Sequence, residues 1–188
     1  LLGYIFHTPQ HRFDSTLGYP GEGPCKILGW NIRGVENKLY TTLAVASAQR
    51  VDAILLQELQ FSTKEKEEAF KRRAEAKGFE AHVSRATATD PKAGVAILIR
   101  KNSDHIACTG GADSPAEGRV LRIPILLNGI ATRLVNTYLP SDPAERLKFT
   151  LAATANKDKP YFDIKDIING DFNTVPDVKT DTIRVPGD

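Results

Sequence analysis

The 188-residue sequence contains no methionine, only two cysteines, one tryptophan and no long apolar run. A translated chain begins with Met and this one begins with Leu1-Leu2, so the composition predicts a fragment, a processed product or an excised domain. Cys25 and Cys108 form no C-x-x-C pair, so their spacing shows no zinc cluster or disulfide framework and favours a reducing, intracellular setting. No stretch reaches the roughly 18 apolar residues of a membrane span, and no signal peptide is recognisable.

Neither sign of charge dominates. The formal net charge is +2, with 41% hydrophobic and 26% charged residues. These values are ordinary for a globular domain, and they permit a polyanionic partner only through a local basic patch. Residues 1–24 are rich in Gly and Pro without periodicity, which predicts an irregular leader or linker. The rest, residues 25–188, is predicted to be one domain.

The periodicity of apolar residues predicts an α/β protein. The predicted strands are 25–32, 51–58, 79–84, 94–100, 119–127, 130–138 and 163–169. The predicted helices are 36–50, 62–77 and 143–156, and Ser62 is the expected N-cap of the second. Asn128-Gly129 is a strong hairpin signal between two of the strands. The order of elements indicates a layered α/β sandwich with largely antiparallel sheets.

The segment 167–173 is the one around which a site is expected. Two β-branched residues predict a short buried strand, which Asn169-Gly170 should break. The break would expose Asp171 and Asn173 at the strand's C-terminal edge and turn Phe172 inward as an apolar anchor. A carboxylate and an amide so spaced can hold a metal-bound water and a phosphate oxygen. A polar turn that merely closes a core strand fits this stretch equally well.

Polar side chains stand at four predicted strand ends: Asn31, Glu58, Tyr138 and the pair Asp171 and Asn173. If these ends face the same way, they form a small oxygen-rich site. Oxygen ligands from few residues suit Mg²⁺, which keeps several waters and relies on substrate phosphate. The alternative is that Glu58 simply reaches solvent beyond its strand.

Six motifs occur in one order along residues 25–173. They are Trp30-Asn31-Ile32-Arg33-Gly34, Leu56-Gln57-Glu58, Gly94-Val95-Ala96-Ile97-Leu98, Gly118-Arg119-Val120, Asn136-Thr137-Tyr138-Leu139-Pro140 and Asn169-Gly170-Asp171-Phe172-Asn173. Together they resemble the endonuclease/exonuclease/phosphatase superfamily, which implies a DNase I-like four-layered α/β sandwich. Within this superfamily, the residues of the motifs are most similar to those of the apurinic-type endonuclease domain of non-LTR (LINE-type) retrotransposons.

The resemblance implies a role for each site residue. Glu58 would bind Mg²⁺, with Mn²⁺ as an alternative, and Asn31 and Asp171 would complete the metal site. Asp171 would also position or activate the attacking water. Asn31, Asn173 and Tyr138 would contact phosphoryl oxygens, where negative charge grows in the transition state.

Other residues are expected to serve the site indirectly or not at all. Arg119 would be structural or positioning, and Arg33 stands where some relatives carry an acidic residue. In the family, a Ser-Asp-His motif follows the Asp-Phe-Asn strand, and no such motif follows residue 173 here. We therefore expect a domain that lacks its last strands and has little nuclease activity alone. Ser103-Asp104-His105 precedes Asp171 and is expected to be an exposed loop, and His82 to be structural.

The resemblance implies a Mg²⁺-dependent phosphodiesterase that nicks DNA. It would belong to a longer polyprotein with a reverse transcriptase and, by analogy, act in the nucleus. One alternative is a phosphoesterase of the same fold that acts on inositol phosphates or lipids. Another is a catalytically dead relic or binding module, and substrate choice lies in loops that one sequence does not explain.

Overall fold

A computed structural model of the chain describes residues 5–7, 24–35, 38–155 and 160–173. The strands are β1 (Ile5–His7), β2 (Lys26–Asn31), β3 (Ala53–Gln57), β4 (Phe79–Ser84), β5 (Val95–Arg100), β6 (Ile106–Cys108), β7 (Asp113–Ala116), β8 (Val120–Leu127), β9 (Ile130–Tyr138) and β10 (Asp166–Asp171). The helices are α1 (Leu39–Ala48), α2 (Lys64–Glu75) and α3 (Pro143–Ala155). No helix in these ranges is long and apolar enough to cross a membrane.

The described strands form two mixed sheets. Sheet A has the order β1-β2-β3-β5-β4, and sheet B has the order β10-β9-β8-β6 with β7 also paired to β8. Only β2–β3 and β9–β10 are parallel among the pairings described. This is the mixed, largely antiparallel α/β architecture that the sequence predicts.

Sheet A has a core on each of its faces. Successive residues of a strand point to opposite sides, so one strand can contribute to both cores. On β3, Ala53 and Leu55 join the core between the two sheets, whereas Ile54 and Leu56 join the core beneath α1 and α2. The run of apolar residues in β3 therefore reflects a central strand with two covered faces. Phe70 of α2 lies in the second core at 2% exposure, and its truncation to Ala would cost about 3–5 kcal/mol.

Helix α2 begins one residue later than predicted. Its N-cap is Thr63, whose backbone is extended and whose hydroxyl accepts a hydrogen bond from the Lys66 amide at 3.4 Å. The predicted cap, Ser62, lies one residue outside. The helix ends at Glu75, just before Gly78 adopts a left-handed backbone with φ +80°. The predicted glycine stop is thus confirmed.

The β8–β9 hairpin is confirmed residue by residue. Leu127 pairs with Ile130, and both turn residues, Asn128 and Gly129, have positive φ. A two-residue turn of this kind needs left-handed backbone at both positions, which Asn and Gly tolerate best. The turn fixes the register of the two longest strands, including Tyr138 at the end of β9.

The prediction for the last strand was wrong in three respects. Asn169-Gly170 does not break β10, which continues to Asp171. Gly170 instead allows close approach to β9, because a Cβ atom there would lie 2.0 Å from the Thr137 carbonyl oxygen. The strand is half-buried rather than buried, since it lies at an edge of the described part of sheet B. Phe172 is 42% exposed and is not an inward anchor.

The structure also contains three short strands that the sequence analysis missed. β1 falls inside the predicted leader and pairs with β2, while the rest of residues 1–23 lies outside the described ranges. β6 and β7 both pair with β8. Strands of three or four residues carry too little periodicity to be recognised, so pairing decides them.

The Ser103-Asp104-His105 segment is an ordered turn far from the predicted site. The Ser103 hydroxyl donates to Asp52 Oδ1 at 2.7 Å, at the N-terminal end of β3. The His105 Nδ1 atom lies 2.9 Å from Asn128 Oδ1 at the hairpin turn. His105 therefore stabilises a connection at the opposite end of the sheets. The segment lies outside the strands and helices, as expected, but only Asp104 in it is exposed.

Candidate active site

The C-terminal ends of four strands meet at one edge of the two sheets. In sheet A, β2 and β3 are parallel, with Asn31 opposite Gln57 and Glu58 directly following. In sheet B, β9 and β10 are parallel, and their last pair is Tyr138 with Asp171. Parallel neighbours end at the same edge, so the fold brings the predicted residues together.

Asn31 links the two predicted carboxylates. Its side-chain nitrogen donates to Glu58 Oε1 at 2.6 Å and to Asp171 Oδ2 at 2.7 Å. Its side-chain oxygen accepts from the Arg33 amide at 3.1 Å. In this arrangement, the nitrogen of Asn31 faces the carboxylates and its oxygen does not, so its predicted role as a metal ligand stays a prediction.

Glu58 is half-buried and its carboxylate is held on both sides. Oε1 accepts from Asn31, and Oε2 accepts from Gln60 Nε2 at 3.0 Å. The Gly34 amide donates to the Glu58 carbonyl at 2.7 Å, which joins the loops after β2 and β3. Within the described ranges, neither Glu58 nor Asp171 forms an ion pair with a basic side chain.

Tyr138 is 6% exposed and remains a proton donor in this site. Burial, then the negative charge of Glu58 and a hydrogen bond to it, raise the pKa of the Tyr138 phenol above its usual value. The Arg119 guanidinium lies 4.5 Å from the centre of the Tyr138 ring and donates to the Tyr138 carbonyl at 3.1 Å. Arg119 is also paired with Asp90, so its guanidinium is held between that carboxylate and the Tyr138 ring. Its structural or positioning role stays a prediction.

Asn173 closes the loop after β10. Its amide donates to Asp171 Oδ1 at 3.0 Å, and its side-chain nitrogen donates to the Leu139 carbonyl at 2.6 Å. These bonds fix the Asp171 carboxylate and join the ends of β9 and β10. One N–H of the side-chain amide is used in this way, so a contact of the second with a phosphoryl oxygen remains a prediction.

Backbone strain is concentrated at this edge. Six described residues other than Gly have positive φ, and four of them surround the site: Arg33 at +47°, Glu58 at +56°, Gln60 at +58° and Asn173 at +47°. Left-handed backbone costs of order 1–3 kcal/mol at a residue with a Cβ atom and clusters at functional sites. The surrounding hydrogen bonds hold Glu58 in this conformation.

Asn136 joins the two sheets beneath the site, a role that was not predicted from the sequence. Asn136 of β9 is fully buried, and its side-chain nitrogen donates to the Leu56 and Ala96 carbonyls at 2.8 Å each. Its oxygen accepts from Gln57 Nε2 at 2.7 Å. An Asn among the apolar residues of a central strand was the available signal, since a buried amide needs this many partners.

A basic groove adjoins Asn31 and Glu58. It encloses about 600 Å³, and both Arg33 and Gln60 line it beside Asn31 and Glu58. The basic residues along it are Arg33, Lys38, Lys66 and Arg73. No acidic residue of the described chain lines it. We call it the basic groove, and its charge favours a ligand that carries several negative charges.

The donor set fits a magnesium ion. Glu58 and Asp171 contribute oxygen atoms from different sheets, and one amide nitrogen of Asn31 spans them. Mg²⁺ is usually bound by one or two carboxylates and several waters, and a half-exposed edge leaves room for those waters. The residues that would hold the ion are therefore Glu58 and Asp171.

No family model matches the chain, and a comparison with curated proteins found no match. Among solved structures, a humanized D. rerio TDP2 matches with a TM-score of 0.55 and 18% identity over 80% of this chain. An AP endonuclease from Archaeoglobus fulgidus gives 0.54 and 22% over 82%, and ANGEL2, a 2',3'-cyclic phosphatase, gives 0.52 and 17% over 80%. The chain spans 66%, 59% and 53% of those proteins, respectively.

At these identities the likeness establishes the fold. All three neighbours have a DNase I-like architecture. The chain therefore has a DNase I-like α/β fold, as its sequence motifs predicted.

Proposed function

We propose that the chain is a metal-dependent phosphodiesterase domain that nicks DNA. The observation that carries the proposal is the link from Asn31 to both Glu58 and Asp171, which brings two carboxylates from separate sheets to one strained edge. Three proteins of similar fold are a TDP2, an AP endonuclease and a 2',3'-cyclic phosphatase. Their likeness supports phosphoester hydrolysis as the class of reaction.

Each side chain has a chemical task in this proposal. Mg²⁺ or Mn²⁺ held by Glu58 and Asp171 would polarise a phosphoryl oxygen and offset its charge. The Asp171 carboxylate, fixed by Asn31 and Asn173, would orient the attacking water and accept its proton. The protonated Tyr138 phenol would donate to a phosphoryl oxygen as negative charge grows there.

The basic groove supports a polyanionic substrate. A phosphate chain bound along Arg33, Lys38 and Arg73 would pass Gln60, which donates to Glu58. Several basic residues along one groove suit a chain of phosphates, which supports DNA as the substrate. An inositol phosphate or a lipid headgroup is the alternative. The wider assignment, to a nuclear retrotransposon polyprotein with a reverse transcriptase, rests on the sequence resemblance alone.

Nicking of supercoiled plasmid during a Mg²⁺ titration tests the activity. Nicking should require the added ion and should rise with its concentration. Glu58→Gln should lower nicking at least about a hundredfold, since the metal loses its main charged ligand. Glu75→Gln, on the exposed end of α2, should not change it.

Metal binding tests the site independently of turnover. Mn²⁺ binding, followed by loss of the free-ion EPR signal, should show one site that Glu58→Gln weakens and Glu75→Gln does not. If the chain does not nick DNA and Mn²⁺ binding is unaffected by Glu58→Gln, the proposal is wrong.

The salt dependence of DNA binding tests the substrate class. Each neutralised phosphate should contribute about 0.9 to the slope of log K against log salt for duplex DNA. Arg73→Gln should reduce that slope by roughly one contact, whereas Lys148→Gln on α3 should leave it unchanged. A flat salt dependence, with competition by an inositol phosphate, would favour the alternative substrate.

A further inference from the structure

Three metal-ligating side chains meet where β4 of sheet A approaches β6 of sheet B, away from the candidate active site. They are Glu80 and His82 on β4 and Cys108 at the end of β6. One ligand atom from each lies within 4.8 Å of the others. β4 and β6 are the edge strands of the two sheets in the described part of the chain.

The strand geometry explains why the two β4 residues face the same way. Alternate residues of a strand point to the same face. Phe79, Ala81 and Val83 pack toward the helices in the core of sheet A. Glu80 and His82 consequently face sheet B, in line with Ser84, whose hydroxyl lies 2.7 Å from that of Ser114 on β7.

His82 has a nitrogen atom without a satisfied partner. Nε2 is buried and forms no hydrogen bond. It lies 3.2 Å from Glu80 Oε1, but the geometry is not that of a hydrogen bond. A buried ring nitrogen without a partner is costly, and a bound cation would satisfy it. This atom points to a ligand in a way that an exposed acidic cluster would not.

We propose that Glu80, His82 and Cys108 bind a zinc-class transition-metal ion that fastens the edge of sheet A to the edge of sheet B. Sulfur, imidazole nitrogen and carboxylate oxygen together suit Zn²⁺ or Co²⁺ and do not suit Mg²⁺, which takes oxygen ligands. Metal bonds of about 2.0–2.3 Å place tetrahedral donors roughly 3.3–3.8 Å apart. The 3.2 Å between His82 Nε2 and Glu80 Oε1 is already close to that spacing.

The surroundings allow the ion to bind. Glu80 is 55% exposed at its side chain, so one side of the cluster is open and a water can complete the coordination. The nearby cation Lys71 acts electrostatically on His82. Lys71 also forms an ion pair with Glu67 at 2.5 Å, which offsets its charge. Binding requires the Cys108 thiolate, so the thiol proton is released to solvent as the sulfur–metal bond forms.

Cobalt titration of the chelator-treated chain tests the proposal. One equivalent of Co²⁺ should produce the near-ultraviolet absorption of a thiolate–cobalt bond, and Zn²⁺ should displace it. Cys108→Ser should abolish the band, and His82→Gln should weaken Co²⁺ binding at least about tenfold. Cys25→Ala, His105→Gln and Glu58→Gln should keep the band, the last because Glu58 belongs to the other site.

A labelling experiment covers the case in which a variant does not fold. In the unaltered chain, Zn²⁺ should slow alkylation of Cys108, as read by peptide mass spectrometry, and should raise the melting temperature. Absence of the thiolate–cobalt band, or its loss in Cys25→Ala instead of Cys108→Ser, would overturn the proposal. So would alkylation of Cys108 at the same rate with and without Zn²⁺.

Discussion

Asn169 lies over Gly29 so closely that a Cβ atom at residue 29 would stand 2.2 Å from Asn169 Oδ1. Gly29 belongs to β2, which ends in Asn31, and Asn169 belongs to β10, which ends in Asp171. The contact therefore sets how closely the two strands approach just before the hydrogen bond from Asn31 to Asp171. A side chain at residue 29 would therefore have to displace the Asn169 side chain or move the two strands apart.

Gly29→Ala should destabilise the protein and disturb the site. The added methyl group must displace the Asn169 side chain or separate the strands, and overpacking of this kind costs about 1–3 kcal/mol. We expect the free energy of unfolding, measured by urea denaturation, to fall by that amount and Mn²⁺ binding to weaken. Gly111→Ala, in an open exposed loop, is the matched control and should change neither.

The same contact predicts a rescue. Asn169→Ala removes the atoms that the new methyl group would meet, so the double variant should recover part of the stability lost in Gly29→Ala. If the two losses simply add, the contact does not determine the separation of the strands.

Asn136→Ala should cost about 2–4 kcal/mol of unfolding free energy. The change removes the side-chain donor to the Leu56 and Ala96 carbonyls and the acceptor of one Gln57 N–H, whose nitrogen keeps its bond to the Leu55 carbonyl at 3.1 Å. Each buried group left without a partner costs about 1–3 kcal/mol before relaxation. Chemical denaturation measures the loss, with the exposed Asn102→Ala as the control. A loss below about 1 kcal/mol would mean that the two sheets are joined mainly by apolar packing.

The sequence predicted those features that depend on local chemistry. Asn128-Gly129 was identified as a turn because both residues tolerate left-handed backbone, and the structure has positive φ at both. The similar pair Asn169-Gly170 also predicts a break, but it lies inside β10. There, Gly is needed for contact with a distant strand, and a single sequence does not distinguish that need from a turn.

Long-range pairing limited the prediction of the site as well. The sequence predicted one shared edge for four residues, and the structure places them there: Asn31, Glu58, Tyr138 and Asp171. The role of Asn136 was missed because its partners lie 40 and 80 positions away. The cluster of Glu80, His82 and Cys108 was missed because its ligands come from two sheets and not from a short spacing motif.

Tyr138→Phe should lower phosphodiester cleavage about 10²–10³-fold, because the substitution removes the hydroxyl that would donate to the phosphoryl oxygen. Stability should change little, because the buried ring is kept. The loss should be in kcat and not in KM if the phenol contacts the phosphoryl group only as charge develops. Steady-state kinetics on an oligonucleotide measure both constants, with Tyr161→Phe as the control. An unchanged kcat would assign the phenol to packing against Glu58.

Cys25 should make the fold sensitive to alkaline pH. Burial, then the charge of Asp52 and a hydrogen bond to it, raise the pKa of the Cys25 thiol from 9.0 to about 12. The unfolded chain releases this proton near pH 9 and the folded chain holds it, so stability is full below pH 9 and falls as the pH rises toward 12. One proton gives a slope of at most about 1.4 kcal/mol per pH unit. Cys25→Ala should flatten this part of the stability profile measured by urea denaturation, and an unchanged profile would contradict the assignment.

Asn31→Asp should make stability depend on a divalent ion. The substitution replaces a donor to Glu58 and Asp171 with a third carboxylate, so in chelator the site loses two hydrogen bonds and gains repulsion between like charges. We expect the free energy of unfolding to fall by about 2–4 kcal/mol in chelator and to recover largely when Mg²⁺ is added, because the ion binds the folded state alone. Asn102→Asp makes the same chemical change in an exposed turn and should respond to Mg²⁺ as the unaltered chain does. If Mg²⁺ stabilises Asn31→Asp no more than the unaltered chain, Glu58 and Asp171 do not share an ion, and the proposed metal site would have to be abandoned.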